Sequence, residues 1–375
     1  MEIKLWLKNL FLSNFRGFSH LELKLSPRLN ILWGENGQGK TNFLEALYCL
    51  GHGISFRTNC DEELIKWGEK ALYLKGEGIK SDRAFTYEFS LVRSSPKVRK
   101  VNSRRVNLRN PDKWLWMVVF TPEDLWLIKG PPSQRRSFLD SKLPFFNFHY
   151  SRLQSSYNKV LSQRNYLLSL GEKREVANHL ESWDQQLVDL GSKIVKLRLE
   201  GLRKLEFFFK KIYPQVMNKE SRVDLIYKCS FLRDFSPQME VSCIKDAFRK
   251  ELNLKREREM EKGMTLIGPH RDDFLVLING VDLRSFGSQG EQRIAALSLK
   301  MAEIGLVKSR EGDYPITLLD DVISELDPRR QKLLLSLIKS QSQIFITTTH
   351  PSLMEQIFMK DAYFFEVKKG DVRRR

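Results

Sequence analysis

The octapeptide Gly34-Glu35-Asn36-Gly37-Gln38-Gly39-Lys40-Thr41 restricts the fold of this 375-residue chain more than any other feature. An apolar run at residues 29–33 leads into it, and Phe43, Leu44, Leu47 and Leu50 follow at helical spacing. Strand, glycine-rich loop and helix in that order describe a phosphate-binding loop in an α/β sheet. Gly34, Gly37 and Gly39 let the main chain wrap closely around phosphates, with N–H groups pointing inward at a helix start. In that frame Lys40 reaches the β- and γ-phosphates and the Thr41 hydroxyl binds Mg2+. The loop alone implies only that a nucleoside triphosphate binds. A chance glycine-rich turn is the alternative, and the strand–loop–helix context counts against it.

A block far downstream narrows the reading. Residues 316–319 are apolar and end in Asp320-Asp321, which sets two carboxylates at the carboxyl edge of a buried strand. There Asp320 holds the Mg2+ shell, directly or through water, and Asp321 polarises the attacking water. Capping of a following helix is the plainer alternative. Ser288-Gln289-Gly290-Glu291-Gln292 opens an amphipathic helix marked by Ile294, Leu297, Met301 and Ile304. Its hydroxyl, N–H groups and dipole form an anion site, although a simple N-cap uses the same residues. The phosphate loop already takes the γ-phosphate in its own subunit, so this second helix start is expected to close on ATP held by another copy. A further acidic turn, Glu325-Leu326-Asp327, completes the block.

The rest of the pattern frames these motifs. Alternation at residues 5–12 and 21–25 predicts strands ahead of the loop, with turns at 14–17 and 26–27. Strand-like runs continue from 71 to 119, including 87–92 and 117–120, as a sheet subdomain flanking the nucleotide. From about residue 150 to residue 213 leucine-rich helical spacing takes over. Trp183, Leu187, Leu190, Ile194 and Leu197, resumed by Leu205, Phe208 and Ile212, read as the buried face of a bundle helix; a coiled-coil seam is the alternative. Strand patterns return at 265–269, 274–278, 316–319, 344–347 and 362–367, with a helix carrying Leu333, Leu334, Leu337 and Ile338. The expected division is 1–143, an ATPase lobe with the phosphate loop; 144–262, a helical insertion; and 263–375, the rest of the ATPase lobe.

Lys and Arg number 63 against 46 Asp and Glu, a formal charge of +17. That excess suits a polyanionic partner, nucleic acid or an anionic membrane surface, with plain solubility as the alternative. Seven of the cations lie between Arg93 and Arg109 without an acid among them, a candidate DNA-facing run. Cys49, Cys60, Cys229 and Cys243 lack metal-ligand spacing, so reduced thiols in a cytosolic setting are expected. Charges at Glu2, Lys4 and Lys8 break any signal-peptide apolar core. No apolar run approaches the roughly 18 residues of a membrane span. Arg373-Arg374-Arg375 reads as a frayed basic tail.

With these residues in view, the chain resembles the RecF family of bacterial recombination-repair proteins, relatives of the heads of SMC proteins and Rad50. The resemblance covers essentially the whole length. Its carriers are Asn14-Phe15-Arg16, the phosphate loop, Phe120-Thr121-Pro122-Glu123-Asp124, Arg135-Arg136-Ser137-Phe138-Leu139-Asp140, Gly268-Pro269-His270-Arg271-Asp272-Asp273 and the blocks at 288–293 and 318–327. It implies an ABC-type P-loop ATPase head, discontinuous and Rad50-like, with an inserted α-helical lobe and no long coiled coil. Under the resemblance Ser288 and Gly290 match the signature motif that closes on a second copy's ATP, and Asp327 matches the D-loop. His350 falls where the ABC class has its switch histidine, with a turn histidine before Pro351 as the alternative. Arg16 resembles a nucleotide-contacting arginine, and Arg57 is a candidate second phosphate- or DNA-facing one.

The resemblance further implies an ATP-dependent homodimer on double-stranded and gapped DNA. It would act with RecR, RecO and RecA and with no membrane partner, and slow, DNA-stimulated ATP hydrolysis would serve as the switch. Two positions depart from the ABC pattern. Asp321 stands where many ABC ATPases have glutamate, which suits slow hydrolysis, and Glu123 or Asp124 takes the place of the Q-loop glutamine. A P-loop small-molecule kinase is a rival reading but leaves Ser288 and Asp327 unexplained. A transporter ATPase subunit is another, and usually has a shorter helical insert. An SMC protein needs long coiled-coil arms that the chain lacks.

Overall fold

A computed structural model describes residues 3–107, 115–145, 147–170, 174–217, 219–232, 238–323, 326–339, 342–349, 351 and 362–375. The chain forms two compact units, one from residues 1–124 with 303–375 and the other from 125–302. The first unit begins with β1 (Leu5–Phe15), β2 (Phe18–Lys24), β3 (Leu29–Trp33), α1 (Lys40–His52), β4 (Ala71–Lys80), β5 (Arg83–Val92), β6 (Val98–Val101), β7 (Arg104–Arg105) and β8 (Met117–Phe120). The second contains α2 (Trp126–Lys129), α3 (Pro132–Lys142), α4 (Tyr150–Ser169), α5 (Arg174–Met217), β9 (Val223–Lys228), α6 (Val241–Lys262), β10 (Asp273–Ile278), β11 (Val281–Asp282) and α7 (Leu283–Phe286). Helix α8 (Gln289–Glu311) is shared in sequence by both. The first unit then resumes with β12 (Ile316–Asp320), α9 (Pro328–Lys339), β13 (Ile344–Thr348), β14 (Ala362–Lys368) and β15 (Asp371–Arg374).

Among the described residues the first unit holds two sheets. One is antiparallel in the order β2-β1-β4-β5-β6-β7, and the other runs β15-β14-β3-β13-β12-β8 with only the β15 edge antiparallel. Strands β12 and β13 are buried along their whole length, as expected of central parallel strands covered on both faces. Helix α1 packs against β4 and β5 of one sheet and β8, β12 and β13 of the other. This explains why Phe43, Leu44, Leu47, Cys49 and Leu50 are all buried. The buried Gln343 carboxamide ties the layers: it accepts from Leu7 N at 2.8 Å and donates to Leu7 O at 2.8 Å and Ser26 O at 2.7 Å.

Three local expectations change in this unit. Residues 117–120 join the parallel sheet beside β12 rather than the antiparallel subdomain, because the register pairs Leu319 with Phe120. Strand β1 runs on to Phe15, which pairs with Phe18 across a tight Arg16-Gly17 turn. Arg373 and Arg374 are not a frayed tail but part of β15. The Arg374 guanidinium lies 3.4 Å from the Tyr363 ring centroid, and Arg375 N donates to Phe364 O.

In the second unit α5 packs on α4, α6 and β9, and β9 pairs with β10 and β10 with β11. Leu187, Ile194 and Leu205 of the expected stripe are buried, but further along Phe209 and Tyr213 take the inner positions assigned to Phe208 and Ile212. The buried line also admits Asp184 and Arg198. Residues 265–269 are not a strand. Their donors go to side chains instead: Thr265 N to Asn165 Oδ1, Leu266 N to Glu259 Oε1 and Gly268 N to Ser230 Oγ. The unplaced strand β9 draws residues 273–282 into this unit, so its compact boundary falls within α8 rather than near residue 262.

Candidate nucleotide site

Parallel pairing puts the carboxyl ends of β3, β12 and β13 on one edge of the sheet, where ligands bind in open α/β folds. The loop between β3 and α1 needs its glycines. Gly34, Gly37 and Gly39 have φ of +156°, +78° and +109°. A Cβ at Gly34 would lie 2.4 Å from the carbonyl oxygen of Val367, so only glycine fits there. The Lys40 ammonium donates to the loop's own carbonyls, Gly34 O at 2.7 Å and Glu35 O at 2.8 Å. Burial pushes this ammonium below its usual range, against the pull of Asp321 and Asp320. Gln38 is engaged elsewhere, accepting from Lys369 N at 2.8 Å in the β14–β15 turn.

Asp320 is the hub. Its Oδ1 accepts from Thr41 Oγ1 at 2.9 Å and from Thr347 Oγ1 at 2.8 Å, and Thr347 Oγ1 in turn accepts from Asp321 N at 2.9 Å. Burial, the largest influence, pushes the Asp320 carboxyl above its ordinary value. The two threonine hydroxyls pull it down, and the charges of Asp321 and Glu123 push it up again. Asp321 sits at φ +50°, a conformation uncommon outside glycine that cants the carboxylate following β12. Thr41 and Asp320 offer adjacent hard oxygens, the donor type that Mg2+ takes. Among the described residues no cluster of three His, Cys, Asp or Glu forms an all-protein metal cage.

Arg16, in the β1–β2 turn at φ +49°, makes a two-pronged contact with Glu45 of α1 at 3.0 and 2.9 Å. The hydrogen bond to Glu45 raises the Arg16 guanidinium further into its charged range, against burial. Glu45 also accepts from Ser55 Oγ at 2.6 Å and Arg57 Nη1 at 3.3 Å, and Arg57 reaches Asn42 Oδ1 at 2.8 Å. Arg16 and Arg57 are thus held together beside the start of α1 by one fully buried carboxylate.

Comparison with known proteins decides the family. The family described as RecF/RecN/SMC N terminal domain matches residues 6–371. The DNA replication and repair protein RecF of Halothermothrix orenii is 39% identical over 376 residues, covering 99% of each chain. The chain belongs to the RecF family. The RecF protein of Natranaerobius thermophilus is 41% identical over 350 residues, covering 92% of this chain and 91% of the relative. A solved structure of the recombination mediator protein RecF with ATP, from the RecFOR pathway, superposes with a TM-score of 0.88 at 33% identity, covering 100% of this chain and 99% of that one. An SMC head domain from Pyrococcus furiosus, with an extended coiled coil, matches in fold alone, at a TM-score of 0.55 and 14% identity. The architecture is that of an ABC-type ATPase head of the RecF, SMC and Rad50 kind, with a helical lobe. The longest helix among the described residues is α5, at 44 residues, and it packs within the lobe. No described helix is long and apolar enough to cross a membrane.

Three further expected residues of this RecF-family chain, Ser288, Gly290 and Asp327, lie at helix starts. Ser288 and Gly290 are exposed at the start of α8 in the second unit. Ser288 and Glu291 form a capping box: Ser288 N and Oγ donate to Glu291 Oε2 at 2.9 and 2.8 Å. The backbone hydrogen bond from Ser288 is the main reason the Glu291 carboxyl lies below its ordinary value. Asp327 caps α9 through Arg330 N at 3.0 Å and pairs with the Arg330 guanidinium at 3.1 Å. His350 and Glu325 lie outside the described residues.

Of the two Q-loop candidates, Asp124 accepts from Thr121 N at 2.7 Å and closes its own turn, while the charge of Glu123 bears on Asp320. The basic run is mostly spoken for. Arg93 pairs with Glu62, Lys97 with Asp61 and Lys100 with Glu88, while Arg99 is fully buried and Arg109 lies outside the described residues. Arg104 and Arg105 remain exposed at the tip. Sequence reasoning passed over Thr347 and Glu45. Only Thr347 had a signal, as a hydroxyl near the end of an apolar strand.

Proposed function

We propose that this chain is an ATP-driven DNA clamp of replication and recombinational repair. Two copies bind ATP, close on each other and hold double-stranded DNA near gaps until slow hydrolysis releases it. The observation that carries this reading is the hydrogen-bonded set Thr41, Asp320, Thr347 and Asp321 at the strand ends beside the phosphate loop. Support comes also from relatives named DNA replication and repair proteins, from a relative solved with ATP, and from the +17 charge.

In this reading the backbone of Gly34, Glu35, Asn36, Gly37, Gln38 and Gly39 cradles the phosphates, and Lys40 exchanges its loop carbonyls for phosphate oxygens. Thr41 and Asp320 hold Mg2+, which neutralises phosphate charge. Asp321 polarises the attacking water, with His350 nearby as a hydrogen-bond relay, and the shorter Asp321 side chain makes the reaction slow. Arg16, with Arg57 behind it, contacts the nucleotide. Ser288, Gly290 and Asp327 complete the site from the second copy. Glu291 occupies both Ser288 donors, so closure requires phosphate to displace a carboxylate from its own capping box. That competition favours an open state without ATP. DNA contact stimulates turnover, and RecR, with RecO and RecA in the same pathway, is the expected protein partner in the cytoplasm.

Sedimentation velocity with Mg2+ and ATP tests this. Wild type should dimerise and then decay, and Asp321→Asn should give a long-lived dimer. Ser288→Arg should bind ATP as a monomer without turnover. The clamp reading is sunk if neither wild type nor Asp321→Asn forms an ATP-dependent dimer, and the second-copy site is sunk if Ser288→Arg turns over normally. Turnover measured with and without duplex DNA separates the clamp from a small-molecule kinase.

A further inference from the structure

Arg135 and Arg136 on α3 meet the loop Gly268-Pro269-His270-Arg271-Asp272-Asp273 in the second unit, and the arginines there fall into two kinds. Arg135 is buried and chelates Asp273 at 2.7 and 2.9 Å, and Arg198 is buried and chelates Asp140 at 2.8 and 2.7 Å. These are neutralised framework. Arg136 instead donates to the main-chain oxygen of Asp272 at 2.8 Å. Among the described residues the Arg271 guanidinium reaches Thr265 O at 3.3 Å and Met264 Sδ at 3.4 Å. Among the described residues neither meets a carboxylate within ion-pairing distance. Arg271 is exposed and Arg136 half-buried. A guanidinium anchored on a carbonyl is oriented without being neutralised, and it keeps N–H groups for an external acceptor.

The loop that carries Arg271 and accepts from Arg136 is rigidly built. Gly268 has φ +125°, and a Cβ there would lie 2.6 Å from the Tyr157 hydroxyl. Ser230 Oγ accepts from Gly268 N at 2.8 Å, and the buried Asp272 carboxylate accepts from Tyr227 Oη and Ser230 N, both at 2.7 Å. His270 Nδ1 is 2.8 Å from Tyr157 Oη and Nε2 is 3.3 Å from Thr265 O. The carbonyl can only accept, so Nε2 carries the proton and Nδ1 accepts from the tyrosine. Both ring nitrogens are used, which makes His270 a strut rather than a ligand. Burial, with the charges of Arg271 and Arg136 next to it, pushes the imidazole down to about 4. Arg271 belongs to this loop and Arg136 bonds the carbonyl of its Asp272, which ties both guanidiniums to one piece of main chain.

We propose that Arg136 and Arg271 form a phosphodiester-binding site that takes backbone phosphates of DNA on the second unit. The proposal rests on the DNA-binding reading above and assigns it residues. Two charges, one on a rigid loop and one on α3 anchored to that loop, suit the sequence-independent phosphate contacts that set register on a duplex.

Anisotropy of a labelled gapped duplex with the full chain, Mg2+ and ATP, across a salt series from about 50 to 200 mM, tests it. Arg136→Gln with Arg271→Gln should weaken binding roughly tenfold and lower the slope of log affinity against log salt by about 2. Arg271→Gln alone, whose long bonds contribute little to the fold, should lower the slope by about 1. The paired lysine variants should keep the wild-type slope, because phosphate contact needs charge. Slopes equal to wild type in both glutamine variants overturn the site. A wild-type chain that binds no DNA at all overturns the DNA reading instead.

Discussion

The nucleotide site and the polar core of the second unit use the same residue types and hold them in opposite ways. In the second unit Arg164 is fully buried and donates to Asp184 at 2.6 Å, Glu259 at 2.7 Å and Thr265 Oγ1 at 2.8 Å. Arg256 adds a further contact to Asp184. Within this Arg164 cluster each buried charge meets an opposite charge on the protein. In the nucleotide site the direct partners of buried Asp320 are two hydroxyls, and those of Lys40 are two carbonyls. Neutral dipoles satisfy hydrogen-bond valence but leave the charge to be balanced by what binds. Between these two clusters, the charges matched inside the chain are framework and those matched only by dipoles are poised for a ligand.

The largest test removes an internal match. Arg164→Met keeps approximate volume but strands the Glu259 carboxylate in the core and leaves Asp184 to Arg256 alone, and it should cost roughly 3–5 kcal/mol in urea unfolding. ATP affinity per folded molecule should stay near wild type. A cost below about 1 kcal/mol would break the contrast, because the network would then be no more than a surface pairing.

A smaller effect follows from His270. The imidazole titrates near 6.5 when unfolded but only near about 4 in the fold. As pH falls the unfolded chain takes the proton first, so stability is full above the unfolded value and is lost between about 6.5 and 4. Unfolding free energy should therefore drop by about 2 kcal/mol between about pH 7 and pH 5. His270→Asn should flatten that slope. A wild-type curve already flat in this window would mean that the strut is not a neutral imidazole.

Sequence alone reaches the site further than the framework. Gly34 to Thr41 and Asp320-Asp321 were legible because each group is contiguous and its strand, loop or helix supplies the geometry. Thr347 was not, because its part in the site comes from register: β13 sets it opposite Asp320. Glu45 looked like one more polar position on α1, and only the β1–β2 turn brings Arg16 onto it. That much of the basic run is ion-paired was not legible either, because Glu62, Asp61 and Glu88 fold against it. Residues 265–269 misled outright. Apolar alternation suggested a ladder, but Asn165, Glu259 and Ser230 take the backbone donors that a ladder would use.

The smallest expected effect on the fold is also the most informative about the site. Thr347 is 1% exposed, and its hydroxyl links Asp320 Oδ1 to Asp321 N. Thr347→Val is nearly isosteric but leaves the Asp321 N–H unsatisfied, which should cost about 1–2 kcal/mol. It also removes a hydrogen bond that lowers the Asp320 pKa, so that carboxyl should take a proton at higher pH. The acid limb of ATP turnover should shift upward, and the Mg2+ needed for half-maximal turnover should rise. Thr347→Ser keeps the hydroxyl and should restore both while losing a methyl. If Thr347→Val loses stability but leaves the acid limb and Mg2+ requirement unchanged, Thr347 belongs with Arg164 as framework. In that case Asp320 draws its tuning from Thr41 and the ligand alone.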